Sequence, residues 1–526
     1  MGEWPRLMIE SRHLEDEPET WIGYQDDPVK KVDPGGIPYS YLFRHSAIFG
    51  ETGQGKTTLL QNMMLQWINA GFGCCFIDPK GAEDSKGLVQ RIPKHRLEDV
   101  IWIEPGSKRD KMIGFNLLET DADPGDEDFT SEVKEVVTQF AEVIKNTEDS
   151  GGAIINEVTE EVTRHLVKQE YNYNVLDLYT ILFNEEQREQ LPDMETDSFG
   201  KQALQQVADK KEDELSSIKR RVRPWVTDVT TREILDVRDT GVNLTQAIED
   251  GKILIVKTDQ IPGSSVEQMF VTAMVRRIWS TIKRRDVEEE DFDPYFLVVD
   301  EFDNVAVDRL GIGEILGEAR AYDFSITLAT QQPSSLSKDV QQDVFKNSKN
   351  VFTFSPGNYE DARTLANEFG EDIEASELTN LGEYRIAGRI MADGKPHTVI
   401  LDAFPPYPPL WTLDEAEEFI RLSLDRYGKS TEQKEWTEEV MENYGIQDEY
   451  EGESQEQKEL YEIGGNVNLT LSEILRAVFT AQVKKPTRKF DGQDGYIDKD
   501  SLREILEDHY GDVQEIALDR VAKEKI

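Results

Sequence analysis

The run Gly50-Glu51-Thr52-Gly53-Gln54-Gly55-Lys56-Thr57 has the spacing of a loop that wraps phosphate oxygens. A glycine is followed by four unconstrained positions and then by Gly-Lys-Thr. An apolar segment, residues 47–49, precedes the run, and a helical pattern extends from near Lys56 to about Asn69. Strand, tight turn and helix form the context this chemistry needs. Backbone N–H groups of the loop and the helix N-terminus face the same negative charge. Lys56 is expected to reach the β- and γ-phosphates, and the Thr57 hydroxyl to hold Mg²⁺. With Thr58, the nucleotide-binding set is residues 50–58, and the expected ligands are ATP and Mg²⁺.

A second constellation lies 244 residues beyond Lys56, where the apolar run 296–299 ends in Asp300-Glu301. Asp300 is expected to hold Mg²⁺ through its shell waters. Glu301, one residue on, points elsewhere and can polarise an attacking water. The third is Thr330-Gln331-Gln332-Pro333, directly after an apolar run at 324–328. Gln331 is the expected γ-phosphate sensor, and Gln332 reads as plain loop. Arg320, before the same run, is a candidate to reach the nucleotide of a neighbouring subunit, with Arg363 as the second choice. A surface ion pair is the other reading of both. Asp78-Pro79-Lys80-Gly81 closes the strand after the loop helix. There Asp78 can support water or Mg²⁺, Lys80 can contact DNA or a neighbouring subunit, and a simple strand-end turn is the alternative.

These residues need a parallel sheet to bring them together. Short apolar runs at 46–49, 73–77 and 100–103 alternate with helical or polar stretches. Strand signals return at 253–257, 295–299, 324–328, 351–354 and 398–401. Between them, from about Thr130 to Ile218, apolar residues recur at helical spacing. Val133, Val136, Val137, Phe140, Ala141 and Ile144 share one face. A polar loop is expected from Asn184 to about Ser198. The boundaries that follow are 1–120 for a lead-in and first core half, 121–245 for an inserted helical domain and 246–410 for the second core half. Residues 411–460 read as an acidic helix and linker, and 461–526 as a small helical module. In that last part Thr470-x-x-Glu473 and Ser501-x-x-Glu504 are capping-box signatures. Asp491-Gly-Gln-Asp494-Gly495 resembles a calcium loop, but the register set by Gly495 lacks both end carboxylates, so a turn is expected.

The chain has 526 residues, enough for two or three domains. Its 105 acidic and 59 basic residues give a net charge of −46. Spread along the chain, that excess is most simply explained by a halophilic host, where salt screens self-repulsion. An acid-rich partner surface is the other explanation. The balance runs against ordinary nucleic-acid binding, although basic clusters persist at Lys219-Arg220-Arg221-Val222-Arg223, Arg276-Arg277 and Lys283-Arg284-Arg285. Cys74 and Cys75 are the only cysteines, which excludes a disulfide framework and a cysteine metal quartet. No apolar run reaches membrane-span length, and the N-terminus carries no secretion signal, so a cytoplasmic protein without a direct membrane span is expected.

In their order, these elements resemble the HerA/FtsK group of hexameric pumping ATPases, with the strongest likeness to type IV secretion coupling proteins of the TraG/TraD kind. The likeness covers roughly residues 37–403. It includes His45, Asp78-Pro79-Lys80-Gly81, Gly251-Lys-Ile-Leu-Ile-Val256, Val299-Asp300-Glu301 and Ala329-Thr330-Gln331. The resemblance implies an α/β, RecA-like P-loop core, a six-subunit ring with DNA threaded through it, and an inserted helical domain that caps the ring. It further implies that Lys56 and Thr57 bind nucleotide and Mg²⁺, that Asp300 and Glu301 form the acidic pair, and that Gln331 is the sensor. Arg220, Arg221, Arg223 and Lys80 are the candidate DNA contacts. A relaxase or membrane-channel protein is an implied partner. Such relatives commonly carry an N-terminal membrane anchor that is not found here; a separate anchor protein could replace it. A DNA-packaging motor and a nucleotide-gated scaffold for protein partners stay open as alternatives.

Overall fold

The computed structural model describes residues 19–25, 34–81, 84–120, 122, 124–126, 129–146, 153–169, 172–195, 197–261, 263–285, 293–304, 311–370, 373–392, 394–430, 461–463 and 467–469. The chain divides into two units, Met1–Gly445 and Ile446–Ile526.

The first unit is built on one eleven-stranded sheet. In chain order its strands are β1 (Glu19–Gln25), β2 (Pro34–Pro38), β3 (Ser46–Phe49), β4 (Gly73–Asp78) and β5 (Val100–Ile103). A two-residue strand, β6 (Lys111–Met112), lies outside this sheet. Then come β7 (Ile253–Lys257), β8 (Tyr295–Val299), β9 (Phe324–Thr330), β10 (Asn350–Thr353), β11 (Arg385–Ala392) and β12 (Lys395–Ala403). The spatial order is β2-β1-β12-β11-β10-β3-β9-β8-β4-β7-β5. From β10 to β5 all neighbours are parallel, and the other four strands pair antiparallel. Strands β3, β4, β5, β7, β8, β9 and β10 are buried along their whole length, as a sheet covered on both faces requires. The expected α/β core is therefore present.

Three neighbouring strands end together. Phe49 of β3 pairs with Thr330 of β9, and Val299 of β8 with Leu328 of β9. The residues that follow, Gly50, Gln331 and Asp300, emerge side by side at the carboxyl edge. The helix Lys56–Ala70 is fixed over this sheet by Leu59, Leu60, Met63, Met64, Trp67 and Ile68, all buried. The Trp67 indole stacks on Phe296 of β8 at 4.1 Å between ring centroids, and its Nε1–H donates to Thr20 Oγ1 at 2.8 Å. A buried aromatic pair with its polar atom satisfied contributes about 1 kcal/mol beyond area burial. This one ties the loop helix directly to the strand that carries the acidic pair.

Between β6 and β7 the described elements are helices. The segment begins with Phe129–Asn146 and continues through Ala153–Val167, Val175–Phe183, Ser198–Ala208 and Glu212–Thr227 to Val229–Leu235. Asn174, Asp197 and Asp228 cap three of them by accepting backbone N–H groups. Val133, Val137, Phe140, Ala141 and Ile144 are buried, and Phe140 meets Trp225 edge-on at 6.4 Å. The helix Phe129–Asn146 docks on the core helix Ser264–Lys283 through Ser280–Glu135 and through Arg284–Glu132, just past the helix end.

Four expectations need correction. The stretch 185–194 is not loop: the Asn184 side chain caps a helix at Glu185–Gln190, and a 3₁₀ turn follows at Leu191–Met194. Strand β11 joins β12 where no strand was expected; its Asp393-Gly394 dipeptide is the usual signal of a tight hairpin. The core does not stop at the prolines near 405–409. Thr412 and Glu415 form a capping box that opens the helix Leu413–Tyr427, and this helix covers β5. Its Ser423 Oγ accepts from Trp102 N at 2.9 Å. Its Glu417 is held down to about 2 by the Arg109 guanidinium and, after a penalty for burial, by Lys86. Last, the segment assigned to a helical module begins with a hairpin, β14 (Tyr461–Ile463) against β15 (Val467–Leu469), following a short β13 (Lys429–Ser430) that pairs with β6. The capping boxes at 470 and 501 and the stretch 491–498 lie outside the described residues.

Candidate active site

The loop from Gly50 to Gly55 leads into its helix with no side-chain cap. The N-cap is Gly55 at φ 107°, and no acidic residue occupies the first turn. That backbone is a left-handed conformation that glycine adopts at least cost. The first-turn N–H groups of a fifteen-residue helix are thus left for an anion. Beneath the loop lies Phe354. A β-carbon on Gly50 would sit 2.9 Å from its Cδ2, so only glycine passes there. Gly50 N donates to the carbonyls of Thr330 and Gln331 at 3.2 and 3.0 Å, which binds the loop to the end of β9.

Lys56 is 3% exposed. Its Nζ donates to Glu301 Oε1 at 2.9 Å and to Gly50 O at 3.3 Å, and lies 4.0 Å from Asp300 Oδ1. Thr57 Oγ1 donates to Asp300 Oδ2 at 2.9 Å. The two motifs that lie 244 residues apart in sequence therefore touch. Gln331 Nε2 donates to Glu301 Oε2 at 3.3 Å, so the third constellation joins the same cluster. Gln332 has a different partner, accepting from Asn358 Nδ2 at 3.2 Å.

Glu301 is fully buried and adopts φ 43°, in the left-handed region. For a non-glycine residue this costs about 1 kcal/mol. The turn is stabilised by Glu301 N donating to Asp300 Oδ1 at 2.9 Å and by Asn304 N donating to Glu301 O at 2.8 Å. The kink lets two consecutive carboxylates face different groups: Asp300 the Thr57 hydroxyl, Glu301 the cations. Burial pushes the Glu301 carboxyl up, but hydrogen bonds from Lys80 and Lys56 more than offset it and hold the group below the usual carboxylate range. Asp300 goes the other way. Its burial outweighs Lys56 and Thr57, and its carboxyl lies above the usual value.

Lys80 is exposed, and its side chain turns toward the acidic pair. Its ammonium forms an ion pair with Glu301 Oε1, the oxygen that also accepts from Lys56. The turn that aims it is closed by Asp78, whose Oδ1 accepts from Lys80 N at 3.1 Å and Gly81 N at 3.2 Å, and whose Oδ2 accepts from Ser85 Oγ at 2.5 Å. Burial raises the Asp78 carboxyl, with Ser85 and Gly81 offsetting part of the shift. Asp78 thus organises the turn behind the site. The sequence signal for Lys80 was its place directly after β4, the strand beside β8.

The remaining candidates lie elsewhere. Arg320 is exposed in the 3₁₀ turn Ala319–Tyr322, at the amino end of β9. The seven residues of β9 separate it from Gln331 by roughly 20 Å, so it has no part in its own chain's site. Arg363 is exposed on the helix Tyr359–Phe369, which starts at the carboxyl edge. Arg221 is 2% exposed and donates to Ile144 O at 2.9 Å. It holds two helices of the insert together, which does not fit the expectation of a DNA contact. Arg220 is exposed and Arg223 half-buried. His45 is buried: Nε2–H donates to Leu316 O at 2.9 Å, and Nδ1 accepts from Ile326 N at 3.1 Å. It is a neutral staple between β3 and β9, and burial lowers its pKa to about 4.

Among the described residues no cluster of three or more His, Cys, Asp or Glu could hold a metal. The Thr57–Asp300 pair supplies oxygen donors of the kind Mg²⁺ takes when phosphate and water complete its shell. The donor set therefore fits that ion.

No family model matches the chain, and no curated protein matches it. Solved structures do align with it. The unbound bacterial conjugative coupling protein TrwBΔN70 aligns at 13% identity and a TM-score of 0.49, over 76% of this chain and 98% of that one. The plasmid coupling protein TrwB in complex with ADP and Mg²⁺ aligns at 14% identity and 0.47, over 77% and 99%. VirB4 of Thermoanaerobacter pseudethanolicus aligns at 14% identity and 0.43, over 73% and 97%. At this distance no residue role passes from those proteins to this chain. Among the described residues no helix is long and apolar enough to cross a membrane.

Proposed function

We propose that this chain is an ATPase that couples hydrolysis to DNA movement of the kind needed in conjugative transfer. The observation that carries the ATPase reading is one cluster, in which Lys56, Thr57, Asp300, Glu301 and Gln331 meet beside an uncapped helix N-terminus. The link to DNA rests on the order of motifs in the sequence.

The loop N–H groups and the helix N-terminus bind the phosphates. Lys56 turns from Glu301 to the β- and γ-oxygens. Thr57 and Asp300 would hold Mg²⁺, which when bound supplies neutralisation of the charge on the phosphate oxygens. Glu301 keeps Lys80 and Gln331 as partners and so stays ionised and fixed. Its carboxylate orients the attacking water and accepts a proton from it. Gln331, donating to Glu301 at one end and sharing the β9–loop junction at the other, senses whether the γ-phosphate is present. The assembly best suited to this reading is a homo-oligomeric ring, with Arg320 or Arg363 entering from a neighbour and Arg220 and Arg223 facing DNA. A relaxase or channel protein is the partner such a ring would serve.

The test is ATP turnover at several salt concentrations, with and without duplex or single-stranded DNA. Turnover should rise with DNA, and both Lys56→Ala and Glu301→Gln should abolish the rise. Glu301→Gln should still bind ATP, because the phosphate cradle is intact. Turnover indifferent to DNA would sink the coupling. It would favour a nucleotide-gated scaffold, for which the net charge of −46 offers a partner-binding surface.

A further inference from the structure

Tyr384 stands out on three counts. It is a large side chain left 58% exposed. Its backbone lies at φ 58°, in the left-handed region that a bulky side chain rarely adopts. Its ring also lies against the phosphate loop: a β-carbon on Gly55 would be 3.4 Å from Tyr384 Cδ1 and 3.5 Å from Phe354 Cε1.

The topology explains how it gets there. β10 runs parallel to β3, and β11 runs antiparallel to β10, with Thr353 opposite both Phe49 and Ala387. The residues just before β11 therefore come out at the same edge as the loop. Ala403 N donates to Tyr384 O at 2.8 Å, and Arg385 N donates to Gly382 O at 3.2 Å, which fixes the backbone that carries the ring. Phe354 is buried beneath the loop, whereas the Tyr384 ring flanks the loop with much of its surface in water. A rigid, strained, exposed aromatic ring beside a phosphate cradle has the form of a platform for a flat heterocycle.

We infer that Tyr384 is a binding residue for the base of the nucleotide whose phosphates the loop holds, and that it stacks on that base. This rests on the triphosphate reading of the site. Stacking reads the face of a base and not its edge, so adenine and guanine should be served alike. Tyr384 then contributes affinity without touching the reacting atoms.

The test measures binding of ATP, GTP and inorganic tripolyphosphate, each with Mg²⁺, to the full chain by calorimetry. Tyr384→Asn removes the ring and keeps a residue that tolerates the left-handed backbone. Tyr384→Trp keeps a stacking surface. The Asn variant should weaken ATP and GTP about tenfold and leave tripolyphosphate unchanged, and the Trp variant should restore both nucleotides. Unchanged ATP affinity in the Asn variant would overturn the proposal, and so would equal loss of ATP and tripolyphosphate, which would mean a displaced loop. Failure of tripolyphosphate to bind the unmodified chain would overturn the triphosphate site itself.

Discussion

Lys56 and Lys80 at the edge of the sheet, and Arg220, Arg221 and Arg223 in the helical segment between β6 and β7, are basic residues whose fates differ for a physical reason. The two lysines follow strand ends. A parallel sheet sends all its strand ends to one edge, so both ammonium groups meet on one buried carboxylate, Glu301. The three arginines share the helix Glu212–Thr227, where direction is set by a turn of 100° per residue. Successive positions therefore scatter, and Arg220 is exposed while Arg221 is buried against Ile144. In the sheet, position in the topology assigns a role to a charge. In the helix, phase does, and a run of basic residues is not a surface.

The largest effect that could break this contrast is at Lys56. Lys56→Ala should lower ATP turnover by about 10³-fold and Glu301→Gln by about 10²-fold or more, measured as kcat. Turnover kept by either variant would separate the lysine–carboxylate cluster from catalysis.

His45 tests how firmly the loop strand is fixed. Its folded-state pKa of about 4 lies below the ordinary 6.5, so the unfolded chain binds the proton first as pH falls. Stability from this group is complete above about pH 6.5 and is lost toward pH 4. Between pH 7 and 5 it should fall by about 2 kcal/mol in denaturant titrations. His45→Asn should be less stable at pH 7 and lack that component of the slope.

Lys80→Ala should lower kcat about tenfold with little change in KM, since it removes one charge-assisted bond to the general base. The acid limb of the kcat profile should also move to higher pH, because Lys80 helps hold the Glu301 carboxyl down. Lys80→Arg should recover part of both. A loss of DNA affinity with kcat intact would return Lys80 to the class of the exposed arginines.

The smallest effect separates the arginines from one another. Arg221→Ala should cost about 1 kcal/mol of stability by removing the buried hydrogen bond to Ile144 O, without altering the salt dependence of DNA binding. Arg220→Ala should leave stability alone and reduce the salt slope by about 1.

Features set by short-range order along the chain were legible in the sequence. Most of the buried strands are unbroken apolar runs, and the loop and acid pair are local spellings, so β3, β4, β5, β7, β8, β9, β10 and the centre of β12 were legible with Lys56, Thr57, Asp300 and Glu301. Gln331 was reached because it directly follows such a strand. β11 was missed because Arg385 and Arg389 interrupt its apolar residues; its pairing with β12 makes it a strand. The helix Leu413–Tyr427 had its signal in Thr412-x-x-Glu415, but its membership in the core depends on Trp102 and Arg109, some three hundred residues earlier. The Lys80 contact and the Arg221 burial were illegible for the same reason: each partner is brought in by the fold.

The two outer strands of the large sheet have one more implication. At one border the amide of Trp102 in β5 is already taken by Ser423, under a helix pinned through Glu417. At the other, β2 begins and ends with proline, which has no N–H to offer. Neither border welcomes a foreign strand. Copies of this chain that assemble away from these two borders would meet through side-chain surfaces, so the joint can be remade at each cycle without unzipping a ladder of backbone bonds.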